Sequence, residues 1–358
     1  MDLSITVWMD SSLWGDEDTS KMDALQEGLF VGIVRVRSLS LHVPMEEDAR
    51  WFNQVIGLLG GDALSDLKSV EIDGFLSSRS ESGDGAVALD MFSTLSPRLE
   101  KLTVCCLWCR WPSSPFEKLA VLEVDWFTRV QGADEWRNLS HCQNLQEMCL
   151  HFQEERDQIQ HVYADVKFPL LRKLVIHSTE NAANSMVGAN LFERINCPSL
   201  RTLHFYSTKG YYRPFMLAIT KSKRTYATVE SLRIDWDFPC TDLMTHFPAL
   251  DKLIIAPGRK AEDIRSRPTG CDSILNNRVQ GALGSWPRCR VLDLREIACW
   301  YPSSYRCVYN ELTKKRNVGR PKITLILPPW GPKRCMEHGL WEQLVQKTRV
   351  TSSDLKYH

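Results

Sequence analysis

The chain has 358 residues, and its 44 basic and 44 acidic residues give a formal net charge of zero at pH 7. A hydrophobic fraction of 43% and a charged fraction of 25% are ordinary for a soluble globular protein. The balanced charge gives no overall field that would attract nucleic acid or an anionic membrane. No run of about 18 apolar residues occurs, so the sequence predicts no membrane-spanning helix.

The N-terminal residues Met1–Asp10 lack the basic segment and the sustained apolar core of a secretory signal. Without such a signal, the 12 cysteines are interpreted as reduced thiols, several of them at core positions. The expected location is therefore the cytosol or the nucleus.

A short phrase recurs along the chain: an aliphatic residue, two residues, a second aliphatic residue, one residue, and a third aliphatic residue. The last two aliphatic positions are two residues apart, so they lie on one face of a strand. The central position recurs every ~20–39 residues, which overlaps the period of leucine-rich repeats. The ten copies are Val36–Leu41, Leu67–Ile72, Leu99–Val104, Leu119–Val124, Leu145–Leu150, Leu171–Ile176, Leu200–Phe205, Val229–Ile234, Leu250–Ile255 and Cys289–Leu294.

Stacking gives these strands a shared core, because a lone strand cannot bury its three apolar residues. Each buried Leu, Ile or Val then contributes roughly 1.5–3 kcal/mol. Apolar residues at helical spacing in 47–59 and 86–95 predict helices between strands. Strands that alternate with helices predict a parallel sheet with the helices on its outer side. The predicted fold class is an α/β leucine-rich-repeat solenoid, an irregular horseshoe with its parallel β-sheet on the concave face and helices on the convex face.

Three segments are predicted: a lead-in at 1–30, a solenoid at 31–328 and a C-terminal tail at 329–358. The solenoid comprises about ten repeats and a final strand, Ile323–Leu327. Five prolines stand two residues before a phrase, where a helix must stop. They are Pro97, Pro169, Pro198, Pro248 and Pro287.

These proline-led phrases, with their irregular spacing and Trp- and Cys-rich strands, resemble the leucine-rich-repeat region of F-box proteins from mushroom-forming fungi, the basidiomycetes. The resemblance covers roughly residues 31–328. In that family an N-terminal F-box, which opens near Leu-Pro, docks on a cullin ubiquitin ligase, and the repeats hold the substrate. No F-box is visible before Val31. The resemblance implies substrate recognition in an F-box-type ubiquitin ligase. The alternative is a free-standing scaffold or nuclear cofactor.

Residues that flank the last aliphatic position of each phrase are expected on the concave surface, about 4.8 Å from their equivalents on neighbouring strands. Aromatic and charged side chains on a rigid sheet suit a partner site, and a solvated face without a ligand is the alternative. The candidates are the acidic Glu71, Asp73, Glu123 and Asp125, a patch interrupted by Thr103 and Cys105; the central Trp126, His151, His177, His204, Tyr206 and Trp236; and the charged Arg233, Asp235, Asp293 and Arg295.

Metal-binding residue types occur, but no complete set of ligands does. His151 and His177 occupy equivalent positions in successive phrases, with Cys149 on the same face, so a pH-sensitive or metal-binding cluster is conceivable. Exposed or hydrogen-bonded histidines are favoured. The segment Cys105–Cys109, which contains a C-x-x-C, and the pair Cys335–His338 do not combine into a zinc site. No metal and no cofactor are predicted.

The sequence contains no nucleophile elbow, P-loop, His-Glu-x-x-His motif or dinucleotide glycine fingerprint, so an enzyme is not predicted. The densest basic run, Lys314–Lys322, has the composition of a nuclear-import signal or a phosphate-binding patch. A solvated loop before the last strand is the favoured interpretation. The expected partner is a protein, with no membrane partner and no favoured role for nucleic acid.

Overall fold

The computed structural model describes residues 3–8, 36–43, 65–74, 87–88, 98–105, 109–110, 116–126, 139, 141–152, 165–178, 194–207, 219–220, 224–235, 243, 245–256, 288–295, 310, 323–328, 333, 339 and 341–352. The chain divides into two compact units. The first unit comprises Met1–Phe152, Ile159–Arg172 and Arg194–Cys197. The second unit comprises Gln153–Gln158, Lys173–Glu193 and Pro198–His358.

The elements whose full bounds are described are strands, apart from one helix of seven residues. Further described residues are helical, namely Leu139, Arg194, Ile219, Thr220, Asn310 and Lys333. In chain order the elements are β1 (Leu3–Trp8), β2 (Val36–Val43), β3 (Ser69–Gly74), β4 (Val87–Ala88), β5 (Lys101–Cys105), β6 (Cys109–Arg110), β7 (Val121–Trp126), β8 (Glu147–Phe152), β9 (Val166–Lys167), β10 (Lys173–Ser178), β11 (Ile195–Asn196), β12 (Thr202–Ser207), β13 (Ser231–Asp235), β14 (Lys252–Ala256), β15 (Val291–Asp293), β16 (Ile323–Leu327), α1 (Trp341–Lys347) and β17 (Thr348–Ser352).

The first unit is built on parallel strands in the order β1-β2-β3-β5-β7-β8. In the register of these strands, the central aliphatic residue of each phrase pairs with the central aliphatic residue of the next phrase. The aligned row is Leu39, Val70, Leu102, Leu122 and Met148. Two short parallel pairs, β4 with β6 and β9 with β11, accompany this sheet.

The second unit repeats the arrangement with parallel strands in the order β10-β12-β13-β14-β15-β16-β17. Its central row is Leu174, Leu203, Leu232, Leu253, Leu292 and Leu325. Every central residue in both units is at most 1% exposed, so the phrase forms the core. The predicted parallel-strand solenoid is confirmed within each unit.

In each phrase, two residues lie between the first and second aliphatic positions. Their backbone N–H groups donate hydrogen bonds to a carbonyl of the preceding phrase. The Glu100 carbonyl accepts hydrogen bonds from the N–H groups of Ala120 and Val121 at 2.8 and 3.0 Å. The Glu230 carbonyl accepts from Asp251 and Lys252 at 2.9 and 2.8 Å. These bonds satisfy backbone groups that would otherwise be buried without partners, which explains the fixed two-residue spacing.

The prolines have a role that the sequence analysis missed. The Leu171 N–H donates to the Phe168 carbonyl at 3.4 Å, and the Leu250 N–H donates to the Phe247 carbonyl at 3.3 Å. Pro169 is therefore the second residue of a tight turn, where its fixed φ is favourable. In five of these turns the first residue is a buried anchor that extends the core beyond the phrase. The anchors are Phe116, Cys142, Phe168, Cys197 and Phe247.

The helix predictions receive little support from the described residues. The predicted helix at 86–95 is wrong at its start, because Val87–Ala88 pairs with Cys109–Arg110 as a strand. The rest of that segment, the predicted helix at 47–59, Pro97 and Pro287 all lie outside the described residues. No helix in the described part of the chain has the length and apolar character to cross a membrane.

The sheet also extends past both ends of the predicted solenoid. β1 pairs with β2 inside the segment interpreted as a lead-in, and β17 pairs with β16 inside the predicted tail. The alternating Leu-Ser-Ile-Thr-Val of residues 3–7 has the period of a strand, although it lacks the full phrase.

Candidate functional site

Residues between the core positions of each strand lie on the opposite side of the sheet, which is called here the non-core face. On β3, Glu71 and Asp73 are exposed while Ile72 between them is fully buried. The strand register aligns one residue of the non-core face from each of five strands of the first unit. This row consists of Ser40, Glu71, Thr103, Glu123 and Cys149. Glu71 and Asp73 therefore point away from the core of the first unit, as Ile72 between them points into it.

Histidines accompany the carboxylates of this face. His151 Nε2 lies 3.0 Å from Glu123 Oε1 and 3.4 Å from Cys149 Sγ. His42 Nδ1 lies 3.7 Å from Asp73 Oδ2. A neutral imidazole leaves the charge of its carboxylate neighbour in place, so the face is acidic when these rings are unprotonated.

Thr103 occupies the middle of the acidic row and is only 7% exposed. It pairs in register with Glu71 on one side and with Glu123 on the other. Its hydroxyl oxygen, Oγ1, has no hydrogen-bond partner among the described residues. A buried hydroxyl left without a partner costs about 1–3 kcal/mol. The sequence analysis treated Thr103 only as an interruption of the acidic patch, because burial and satisfaction are tertiary properties.

The non-core face of the second unit carries a group of rings and a cation, named the aromatic cluster and formed by His177, His204, Tyr206 and Arg233. The rings of His177 and Tyr206 stack with centroids 4.6 Å apart and planes 10° apart. His204 meets the same tyrosine edge-on at 6.3 Å. The Arg233 guanidinium lies 3.6 Å from the ring centroid, a cation–π geometry. Tyr206 is therefore held by its neighbours on both adjoining strands.

Arg233 departs from the expected exposure. It was predicted as an exposed contact residue, whereas it is 7% exposed. Its guanidinium packs on Tyr206 and donates a hydrogen bond to the Phe205 carbonyl. His177, His204 and Tyr206 remain half-buried. The side chains of His177, His204 and Tyr206 are thus accessible to a binding partner, whereas the buried Arg233 packs against Tyr206.

Asp293 is a charged residue on the non-core face of the second unit, although it is only 1% exposed. Arg295 donates to it twice, from Nε at 3.0 Å and from Nη2 at 2.7 Å, and Lys252 Nζ lies 3.4 Å away. Burial alone would raise the pKa of Asp293. The Arg295 hydrogen bonds and the charges of Arg295 and Lys252 outweigh burial, so the pKa lies below the ordinary value. Arg295, predicted as a partner residue, is exposed but bound to Asp293.

The remaining predicted residues are placed only in part. Asp125 and Trp126 lie in β7 and Asp235 lies in β13, and their side chains are outside the described set. Trp236 and the basic run Lys314–Lys322 also lie outside the described residues. Their predicted roles stay predictions.

Cys149 and His151 belong to the first unit, and His177 belongs to the second. His151 contacts Glu123 and Cys149 in the first unit, whereas His177 contacts Tyr206 in the second. Cys105 ends β5 and Cys109 begins β6, while Cys335 and His338 lie outside the described residues.

Five described cysteines are free thiols, and three of them occupy core positions, as expected from the sequence. Burial raises the pKa of the Cys142 thiol to about 11, and burial does the same for Cys289. Cys197 is the third buried thiol, and Cys105 and Cys149 are partly exposed.

Comparison with protein-family models finds no model that matches this chain. Comparison with curated proteins finds no significant similarity. Function is therefore inferred from the two non-core faces and their side chains.

Proposed function

We propose that this protein is a non-enzymatic interaction module that holds a protein partner on the non-core face of its parallel sheets. The aromatic cluster carries the proposal. Tyrosine and arginine are enriched among the few residues that dominate binding energy in protein interfaces. Tyr206 presents a large ring with little freedom left to lose, because His177 stacks on it and Arg233 lies against its face.

Pre-organisation is the physical advantage of this arrangement. Fixing a rotamer-rich side chain on binding costs about 0.5–1.5 kcal/mol. Here the stacking at 4.6 Å and the cation–π contact at 3.6 Å already restrict the ring before a partner arrives. The half-buried imidazole of His204 adds a hydrogen-bonding edge beside it.

The finer proposal follows the resemblance of the phrases to the repeats of F-box proteins. The repeats would be of the leucine-rich type and would hold a substrate for a cullin ubiquitin ligase in the cytosol or the nucleus. A free-standing scaffold or nuclear cofactor is the competing function, because it needs the same partner surface without a ligase.

The test is affinity purification from native extract with quantitative mass spectrometry. The intact chain is compared with Tyr206→Ala, His204→Ala and the control Thr324→Ala, which alters a half-buried residue on the same face of β16. Thermal melts establish that each variant folds. We expect one partner to be retained by the parent and the control and to fall at least about tenfold with Tyr206→Ala.

Two outcomes separate the candidates. Co-purification of a cullin and the subunit that bridges it to F-boxes supports the adaptor, whereas a reproducible partner without them supports the scaffold. Identical protein sets for all folded variants would contradict a partner site at the aromatic cluster.

A further inference from the structure

We propose that the non-core face of the first unit binds an arginine side chain from a basic segment of a partner, seated over Thr103 between Glu71 and Glu123. This inference rests on the proposed function, because it assigns a chemical class to part of the partner. It concerns a different set of residues from the aromatic cluster, so the two can be tested separately.

The charge of this face is the first observation. Its described rows carry four carboxylates, and Lys101 is the only lysine or arginine on them. A phosphate backbone would be repelled here, whereas a cationic segment would be attracted. The four carboxylates belong to Glu71, Asp73, Glu123 and Glu147.

The Thr103 hydroxyl is an independent observation that points to a ligand. Its oxygen is buried, has no hydrogen-bond partner among the described residues, and lies on the same face as the carboxylates beside it. A threonine oxygen can accept a hydrogen bond from a cationic N–H. An arriving donor would therefore satisfy a group that the described residues leave unsatisfied.

The spread of the acceptors over three strands favours a large cation with several donors. Glu71 and Glu123 lie two strands apart, which corresponds to about 9.6 Å between backbones at 4.8 Å per strand. A divalent metal needs its oxygen ligands within about 2.0–2.6 Å of one point. A guanidinium is larger and carries five N–H donors in a planar fork. It can donate to both carboxylates and to the hydroxyl, with each N–H···O distance near 2.9 Å.

Lysine provides the natural comparison, because it carries the same charge as a compact ammonium group with three donors. An ammonium presents its three donors from one nitrogen, whereas the guanidinium spreads five over three nitrogens and is better suited to acceptors on neighbouring strands. The site should therefore prefer arginine to lysine, whereas a diffuse acidic field would not distinguish them.

The experiment is calorimetric titration of the intact chain with acetylated, amidated hexa-arginine and hexa-lysine peptides at low salt. We expect the arginine peptide to bind at least about threefold more tightly, with an affinity that falls as salt rises. Thr103→Val, which keeps the shape and removes the hydroxyl, should weaken the arginine peptide about tenfold, as expected for a hydrogen bond to a charged group. Thr103→Ser should retain binding.

Matched variants complete the test. Glu71→Gln and Glu123→Gln should each weaken the arginine peptide, while Thr324→Val in the second unit should not. The proposal is overturned if the folded parent fails to bind hexa-arginine, if both peptides bind equally, or if Thr103→Val keeps the parent affinity. Stoichiometric Ca²⁺ binding that displaces the peptide would also overturn it, since a small-cation site would then occupy this position.

The proposed function can fail separately from this inference. If Tyr206→Ala retains every captured protein but the peptide results hold, the arginine site stands and the aromatic cluster does not. If Tyr206→Ala loses a partner while the peptide results fail, the interaction module stands and its partner contributes no arginine here.

Discussion

The non-core faces of the two units differ more than their cores do. Both cores consist of the same aliphatic rows, each central residue being almost completely buried. The face of the first unit exposes Glu71 and Asp73, whereas that of the second buries Arg233, Ile254 and Asp293. One repeated phrase therefore sets the backbone in both units and leaves the intervening positions free to differ.

The two non-core faces also differ in the partners of their carboxylates. In the second unit, Asp293 is neutralised by Arg295 and Lys252, which lie on the same unit. In the first unit, Glu123 and Asp73 have histidine neighbours that carry charge only when protonated. Among the described residues, the buried carboxylate of the second face is paired with two cations, whereas Glu123 and Asp73 of the first face lie beside histidines.

The largest expected effect comes from breaking the shared core. Leu203→Asp places a charge at a fully buried central position of β12, and it should cost the second unit about 3–5 kcal/mol because the charge has no partner. Denaturant unfolding measures the loss. Val345→Asp, at an exposed residue of the helix α1, is the control and should change stability by less than about 0.5 kcal/mol. Equal stability of the two variants would refute the stacked core.

The second effect tests the internal charge balance. The pKa of Asp293 is lowered from its ordinary value of 3.8, so the folded chain favours the ionised carboxylate. The resulting stability is fully present above pH 3.8 and is lost as pH falls through the lower folded pKa. Asp293→Asn should cost about 3 kcal/mol at pH 7, because it breaks a buried ion pair.

Urea titrations at neutral and acid pH compare this variant with Thr324→Ala, which alters a half-buried residue without a titratable group on the same unit. Asp293→Asn should lose less stability on acidification than the parent, and Thr324→Ala should behave as the parent does. An acid response of Asp293→Asn equal to that of the parent would exclude Asp293 as its source.

The third effect compares one buried thiol from each unit with a partly exposed one. Thiolates are the reactive form, and a pKa of about 11 in place of 9.0 lowers the thiolate population about 100-fold at pH 8. Cys142 and Cys289 should therefore alkylate more slowly in the native chain than the partly exposed Cys149. Mass spectrometry of a maleimide or iodoacetamide time course gives the rates. Similar rates for all three cysteines would show that the Cys142 and Cys289 thiols are accessible to the reagent.

The smallest effect concerns the aromatic cluster. His177→Ala removes a ring stacked on Tyr206, which should cost about 0.5–1.5 kcal/mol, far less than a core substitution. His177→Phe, which preserves the stack, is the matched variant and should restore most of the loss. A thermal melt lowered as much as by Leu203→Asp would mean that His177 lies in the core.

The sequence alone determined the core. The spacing of Leu200, Leu203 and Phe205, repeated ten times, predicts strands, their parallel pairing and their buried face. It does so because side chains alternate with a period of two and a lone strand cannot bury three apolar residues. It also predicted which residues flank that core, such as Glu71 and His204. The helices at 47–59 and 86–95 depended on weaker periodicity, and the second of these begins as a strand.

Tertiary structure alone decided which of the flanking residues are available. The positions of Arg233 and Glu71 in their phrases are equivalent, yet one is buried over Tyr206 and the other is exposed. Thr103 pairs in register with Glu71 and Glu123, and Asp293 is paired with Lys252, all more than 19 residues away along the chain, while Arg295 lies two residues from Asp293. Burial, charge pairing and hydrogen-bond satisfaction depend on those distant neighbours, whereas the repeated phrase encodes only the strand and its core face.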